Sequence, residues 1–541
     1  MRTSAVIFLV LLLSAGIPRA ERPAPPKLVV LLVVDQMRAD YVDEFSRDWT
    51  GGLKRLVSQG AWFRRAAYPY LNTFTCPGHA TIATGAFPAV HGISQNTWWD
   101  RATGTTTTCT ADPQALTIRY DARTARGGET AGHLLAQTLA DQLRTARASH
   151  VVSVSLKERT AIMLAGHGGD AVTWLSDSLD QWETSSAFTD SAVESVRRFV
   201  TLNPIDADYG KTWSTLLPDA RYRGPDDAPG ESPAGGWTRT FPHVLDSASG
   251  KPDVEFYSKW ERSPYADAYV ARFAAALAES FHLGRHDTTD LLAVGFGGPD
   301  LVGHGFGPRS REVQDMFAHL DRSIGTLLDR LDVLVGQNRY VVALSADHGV
   351  TPIPEQDVAR RHEGGRFGVT ALIAAIDGRA QAALGPGRYV SRVIGNDIYL
   401  EPGTYDRLKA AGALHGVEKA IAGLPGVAGV FRGEQLAGAA QTNDPLRRAA
   451  ALSYVAGRSG DLVVALKPGW ISISNGTTHG SATLDDQRVP IILMGPGIRP
   501  GKYGQQVTPA DIAPTLAALC GVPLPQAEGR VLSEALDAHV R

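Results

Sequence analysis

The hydrophobic positions of this chain fall into short unbroken runs separated by polar, Gly-containing segments. Leu28–Val34 is wholly aliphatic and stops at Asp35. Similar runs recur at His150–Ser155, Leu291–Gly295, Tyr340–Ser345 and Val489–Met494. Apolar segments of this length without polar alternation predict strands buried on both faces, as in a parallel sheet. Between and after them the period changes. Val313–Leu331 and Ile512–Leu519 repeat apolar residues every three or four positions, which predicts helices covering the sheet. Strands alternating with helices predict an α/β fold with a central, mostly parallel sheet flanked by helices. Two stretches interrupt the alternation. Residues 176–285 are rich in Trp, Ser, Asp and Pro, and residues 355–470 hold Ala/Gly-rich helical segments with a few short strands. Both are expected to be inserted segments that cap the site. No internal repeat is present.

The N-terminus changes the picture most. Arg2 precedes an apolar run from Ala5 to Leu13, followed by Ser14, Gly16, Pro18 and Ala20. That order of basic, apolar and small residues predicts a cleavable export signal over residues 1–20, with the catalytic domain occupying 21–541. The run is shorter than the roughly 18 residues that read as a membrane span, and no later run reaches that length. The expectation is an exported protein, periplasmic or secreted. The 541 residues carry a formal net charge of -3, with no long basic run, which argues against a nucleic-acid polymer as partner. A hydrophobic fraction of 43% supplies material for a core. Cys76, Cys109 and Cys520 allow at most one internal disulfide, and their spacing does not say which pair forms.

Candidate chemistry gathers just after the predicted strands, where open α/β sheets bind their ligands. Asp35 ends the first run. Asp300 and His304 are spaced i,i+4 in GGPDLVGHGFGP, so a helix there puts both on one face. Asp347 and His348 lie in SADHG, and His479 in NGTTHGS. Mixed imidazole and carboxylate donors suit zinc better than magnesium or calcium. Six are enough for two ions. His79, His91 and His167 also fall in Gly-rich patterns and are assigned structural roles. Thr75, in NTFTCPGHATIATG, stands just before Pro77 at the expected start of a helix, where backbone N–H groups favour an anion. Lys157 and Arg159 alternate after a predicted strand, so an extended segment would point them to the same side.

The order Asp35, Thr75, Asp300-x-x-x-His304, Asp347-His348-Gly349 and His479 resembles the alkaline phosphatase superfamily, and within it the nucleotide pyrophosphatase/phosphodiesterase-like branch with a threonine nucleophile. TPADIAPTLAALCG is similar to the closing helix of that superfamily, and the likeness spans roughly residues 28–525. The resemblance implies an alkaline-phosphatase-like sandwich and two Zn²⁺: one held by Asp300, His304 and His479, the other by Asp35, Asp347 and His348. Thr75 would reach toward the second ion, attack phosphorus and form a phosphothreonine. Lys157 and Arg159 in SLKERTAIMLAGHGGDAVTW resemble the Lys-x-Arg element of PafA-type bacterial alkaline phosphatases, which are monoesterases. Asn96 in GAFPAVHGISQN is similar to the asparagine that donates to a phosphoryl oxygen there. The expected activity is hydrolysis of small-molecule phosphate monoesters, by a monomer without a membrane span. The alternative is a phosphodiesterase or nucleotide pyrophosphatase of the same branch, in which Lys157 and Arg159 would crowd a second ester substituent. A sulfatase is disfavoured because Cys76-Pro77-Gly78-His79 lacks the required spacing and Arg. A zinc-binding protein without turnover is the reading from another class.

Overall fold

In the computed structural model, which describes residues 24–121, 124–233, 235–359 and 363–538, an eleven-stranded mixed sheet forms the centre of the molecule. The expected export signal lies outside the described residues. The strands are β1 (Leu28–Val34), β2 (Ala61–Ala66), β3 (Ala111–Arg119), β4 (Thr124–Glu129), β5 (Val151–Ser155), β6 (Ala171–Leu175), β7 (Trp182–Ser185), β8 (Asp290–Phe296), β9 (Tyr340–Ser345), β10 (Ile491–Met494) and β11 (Gly501–Val507). They lie in the order β11-β2-β10-β9-β1-β8-β5-β6-β7-β3-β4. The middle, β9-β1-β8-β5-β6, is parallel throughout. β10 runs antiparallel to β9, and β7 antiparallel to β6.

The unbroken apolar runs have a direct cause. Leu28, Val30, Leu32 and Val34 of β1 enter one core with α3 (Pro264–Ser280) and α5 (Arg311–Leu334), which contribute Phe273, Leu277, Leu320 and Ile324. Val29, Leu31 and Val33 enter a second core on the opposite face, against α1 (Thr75–Thr84), α2 (Glu158–Ala165) and α6 (Ile512–Cys520). A strand feeding two cores has no position left for a polar residue. Register does the rest. Leu28 to Val34 pair with Asp290 to Phe296, and Val33 with Ser345, so the segments after β1, β8 and β9 leave the sheet at one level.

The two expected insertions fare differently. Residues 355–470 contain a separate four-stranded sheet, in the order Val390–Ile394, Asp397–Leu400, Leu462–Leu466 and Val427–Arg432, with its own apolar cluster beneath helices Val369–Leu384 and Leu414–Ala422. Residues 176–285, by contrast, are split. Trp182–Ser185 pairs into the main sheet as β7, and Pro264–Ser280 is the core helix α3. The cap there is accordingly shorter than the composition implied. The strand was hidden by its polar composition, WETS, in which even Glu183, Thr184 and Ser185 are buried. α3 does carry helical spacing, since Tyr269, Val270, Phe273, Ala274 and Leu277 are buried along one face. No helix among the described residues is long and apolar enough to cross a membrane.

Cys76 and Cys109 form a disulfide across a separation of 33 residues, and Cys520 is a free, buried thiol. Closing a loop of that length restricts the unfolded chain, so replacing both Cys76 and Cys109 by Ala should lower stability by roughly 2–4 kcal/mol. Equal denaturation midpoints for variant and parent would refute this.

What remains of the first insertion docks on the N-terminal turns of α5 through buried polar groups. Asp315 accepts hydrogen bonds from Trp213 Nε1 and Leu216 N, each 2.7 Å, and from the Tyr222 hydroxyl. Glu312 lies 3.1 Å from His243 Nε2. Burial, aided by Asp226 and Asp315, pushes the Glu312 carboxyl up to about 8, and burial likewise takes Glu231 to about 8. Burial lowers His243 to about 4, so it stays neutral across the window that matters. The folded carboxyls therefore keep their protons at pH values where unfolded ones, near 4.5, have lost them. Their stabilising contribution is complete below about 4.5 and disappears as pH rises toward 8. The melting temperature should fall between pH 5 and 8, and Glu312→Gln should flatten that fall. An identical slope in the variant would mean that Glu312 ionises without cost to the fold.

Candidate active site

Asp35 follows β1 directly, Asp300 lies in α4 (Gly298–Phe306) just beyond β8, and Asp347 and His348 follow β9. All four stand at the carboxyl ends of parallel strands. His479 arrives from the same edge because β10 is antiparallel, so the segment preceding it enters where its neighbours leave. The helical spacing expected for Asp300 and His304 holds, with His304 Nε2 3.1 Å from Asp300 Oδ1. Donor atoms of Asp35, Asp347 and His348 lie within 4.8 Å of one another, and so do those of Asp300, His348 and His479. His348 thus stands between the two groups, and its ring stacks on that of His479 at 3.4 Å.

The three imidazoles are held in the same way. His304 Nδ1 donates to Thr477 O, His348 Nδ1 to Gly349 O and His479 Nδ1 to Thr73 O, at 2.8–2.9 Å. Each therefore turns Nε2 toward the carboxylates, and at His304 the neighbouring Asp300 raises the imidazole above its ordinary range despite burial. Burial lowers His348 to about 3 and takes His479 well below the usual histidine range, which keeps both neutral. Oδ1 of Asp35 and Oδ2 of Asp347 are buried without a hydrogen-bond partner. Unsatisfied carboxylate oxygens facing neutral imidazole lone pairs fit a cation, and the nitrogen-rich set fits zinc. Of the remaining oxygens, Oδ1 of Asp347 and Oδ1 of Asp300 are held by the backbone and Gln36. Gln36 N and His348 N donate to Asp347 Oδ1 at 3.1 and 3.0 Å, and Gln36 Nε2 donates to Asp300 Oδ1 at 2.6 Å.

Thr75 is the first residue of α1, with its hydroxyl 3.4 Å from His348 Nε2. Asn96 sits beside it: Asn96 Oδ1 accepts from Cys76 N at 2.7 Å, and Asn96 O accepts from Cys109 N at 2.8 Å. The amide oxygen being used, Nδ2 is the end left to donate. The Cys76–Cys109 disulfide closes this arrangement and ties the Thr75 turn to the segment that positions Asn96.

Lys157 and Arg159 correct the expectation of an extended pair. Lys157 caps α2 and Arg159 lies within its first turn, because the chain coils into the helix immediately after Lys157. Lys157 Nζ bridges Asp35 Oδ2 and Asp300 Oδ2, at 2.5 Å each. Burial opposes its charge, but Asp300 and Asp35 more than offset that and hold the ammonium above its ordinary range. Arg159 donates to Glu158 at 3.0 Å and keeps a buried, unpartnered Nε. Among the histidines assigned structural roles, His91 meets Thr81 and His167 meets Asp141. His79 is different: its Nδ1 lies 2.8 Å from Thr75 O and 3.3 Å from Asp347 Oδ2, directly behind the site. The i,i+4 spacing from Thr75 was the available signal. Gln36 gave none, since a lone glutamine after a strand has no spacing partner.

A sequence family described as type I phosphodiesterase/nucleotide pyrophosphatase matches residues 29–487. Alkaline phosphatase PafA of Elizabethkingia meningoseptica is 31% identical over 523 residues, 94% of each chain. A Myroides odoratus protein named calcium-transporting ATPase is 31% identical over 540 residues, 97% of each chain. The crystal structure of wild-type PafA superposes with a TM-score of 0.85 at 28% identity, covering 96% of this chain and 100% of that one. The chain belongs to the type I phosphodiesterase/nucleotide pyrophosphatase family and is an enzyme of the branch of the alkaline phosphatase superfamily that holds PafA.

Proposed function

We propose that this enzyme is a zinc-dependent phosphate monoester hydrolase, an alkaline phosphatase, in which Thr75 is the nucleophile. The observation that carries the reading is the convergence of three backbone-anchored imidazoles and three carboxylates beside the Thr75 hydroxyl at a helix N-terminus. The alkaline phosphatase names of full-length relatives such as PafA and the PhoK protein of a Sphingomonas species support it. Asp300, His304 and His479 would hold one zinc, and Asp35, Asp347 and His348 the other. When bound, the two ions supply charge neutralisation for the phosphoryl group and lower the pKa of a hydroxyl or water.

The chain's own groups do the rest. Thr75 Oγ gives its proton to solvent and bonds to phosphorus as the ester P–O bond breaks, and the departing alkoxide takes up a proton from solvent. Water then cleaves the phosphothreonine, releasing inorganic phosphate and restoring the hydroxyl. Asn96 Nδ2, Lys157 and Arg159 donate to the non-bridging oxygens. A monoester presents there a charged oxygen that a diester replaces with a substituent, so the pair of cations favours monoesters. Disulfides persist in oxidising compartments, so Cys76–Cys109 supports export by residues 1–20 to the periplasm or beyond.

Thr75→Ala should abolish acid-stable phosphoenzyme while leaving zinc content intact, and Thr75→Ser should retain turnover. Phosphate trapped at any other residue would overturn the assignment. Chelation should remove activity and Zn²⁺ restore it, whereas restoration by Mg²⁺ alone would show that the donor set has been misread. Charge-assisted hydrogen bonds contribute about 1.5–3 kcal/mol each, so Lys157→Ala/Arg159→Ala should lower monoester kcat/KM roughly a hundredfold or more. Diester hydrolysis should lose far less. Equal losses on both substrates would instead favour a phosphodiesterase in which the pair merely attracts anions.

A further inference from the structure

Of the six candidate metal ligands, five are sealed. The side chains of Asp35, Asp300, Asp347, His348 and His479 are at most 5% exposed, whereas that of His304 is 35% exposed. The cluster therefore opens to the outside beside His304. Against that ring lies a cavity of about 240 Å³, to which His304 itself contributes part of the wall. Its apolar walls come from three separate elements, Leu301 and Phe306 of α4, Trp237 of the first cap segment and Ile473 of the loop leading to His479, and Ser232, Asn475 and Thr477 add polar groups between them. Arg262 borders it too, with its Nη1 engaged by Ser258 and by Glu261. The Trp237 ring is held in place, with Nε1 donating to Val244 O at 2.8 Å and the ring packed on His243 at 4.8 Å. Ile473, a large aliphatic side chain in this lining, is 37% exposed.

Position along the reaction axis gives this cavity a role. The Thr75 hydroxyl approaches the cluster from the His348 side. In-line transfer places the departing oxygen opposite the attacking one, on the Asp300–His304 side. The substituent on that oxygen can extend only where the cluster is open, which is past His304. We infer that this cavity is the subsite for the alcohol portion of the ester, and that it selects a single aromatic ring or a short alkyl chain over a small polar alcohol. An apolar cavity of about 150 Å³ accommodates benzene, so the space is adequate for one ring. Arg262 is ion-paired with Glu261, which offsets its charge at the edge of the cavity. The inference rests on the monoesterase reading above and adds the substrate class to it.

The test is a series of phosphate esters of primary alcohols, ethyl, butyl and 2-phenylethyl, whose leaving oxygens differ little in reactivity. With the zinc-loaded enzyme, kcat/KM should rise along the series, with 2-phenylethyl phosphate about tenfold or more above ethyl phosphate, as burial of an apolar group of that size implies. Trp237→Ala and, at the exposed position, Ile473→Ser should each reduce the phenylethyl-to-ethyl ratio severalfold. Calorimetry with the non-hydrolysable ethyl- and 2-phenylethylphosphonates supplies a readout that needs no turnover, and the same preference and the same loss are expected. Equal kcat/KM for the ethyl and phenylethyl esters, or a ratio unchanged in both variants, would overturn the subsite. Failure to hydrolyse any of the three esters would overturn the monoesterase reading instead, and tighter binding of the phenylethylphosphonate would still support the cavity.

Discussion

Three carboxylates share one buried spot, and that like-charge crowding is the constraint from which most of the site follows. Asp35, Asp300 and Asp347 are each almost wholly buried. Burial and the neighbouring Asp35 push Asp347 well above the usual carboxylate range. Asp300 goes the other way, because His304 and Lys157 overcome its burial. Charges gathered like this are tolerated only with positive charge among them. Lys157 provides one such charge, bridging two of the three carboxylates. The orphaned oxygens of Asp35 and Asp347, facing neutral imidazole nitrogens, provide the place for more. A metal centre is thus what the electrostatics of the fold ask for.

The sheet imposes the crowding. Parallel strands in matched register deliver the residues following β1, β8 and β9 to one level, and the apolar runs that bury those strands on both faces deny the turns any room to separate. What precision requires beyond this is supplied by small local anchors. Backbone carbonyls select the tautomer of each histidine. Gln36 holds two of the carboxylates, and Asn96 is clamped between the backbone N–H groups of two disulfide-linked cysteines. Thr75 and the amide beside it are therefore fixed relative to one another by a covalent link, separately from the carboxylate and imidazole cluster.

The cap segments complete the cleft from outside. Asn396 of the 355–470 unit donates to Asn72 Oδ1 at 2.9 Å and Gly480 O at 2.6 Å, which braces the segments leading to Thr75 and leaving His479. The shorter cap built from the first insertion brings Trp237 to the same cavity as α4 and leaves His304 as the most exposed of the six candidate ligands. Chemistry comes from the strand ends, whereas the shape of the entrance comes from the insertions.

Much of this was determined by the sequence alone. Unbroken Val/Leu runs can satisfy only a strand buried on both sides, so the parallel centre of the sheet and the positions of Asp35, Asp300, Asp347 and His348 at its edge were legible from hydrophobicity. The i,i+4 spacing of Asp300 and His304 needed only helix geometry. Other features depended on contacts between distant segments, which no local pattern encodes. The polar strand Trp182–Ser185 is buried because of what lies next to it, not because of its composition. The pairing of Cys76 with Cys109 followed from the approach of two loops 33 residues apart. Lys157 and Arg159 read as an extended pair until the fold wound them into a helix start. Gln36 became part of the site only when tertiary structure placed it against Asp300 and Asp347, and His79, whose i,i+4 spacing to Thr75 is local, met Asp347 only through packing. Residue type and period are local properties that a sequence states directly; which buried polar atoms meet is decided by packing.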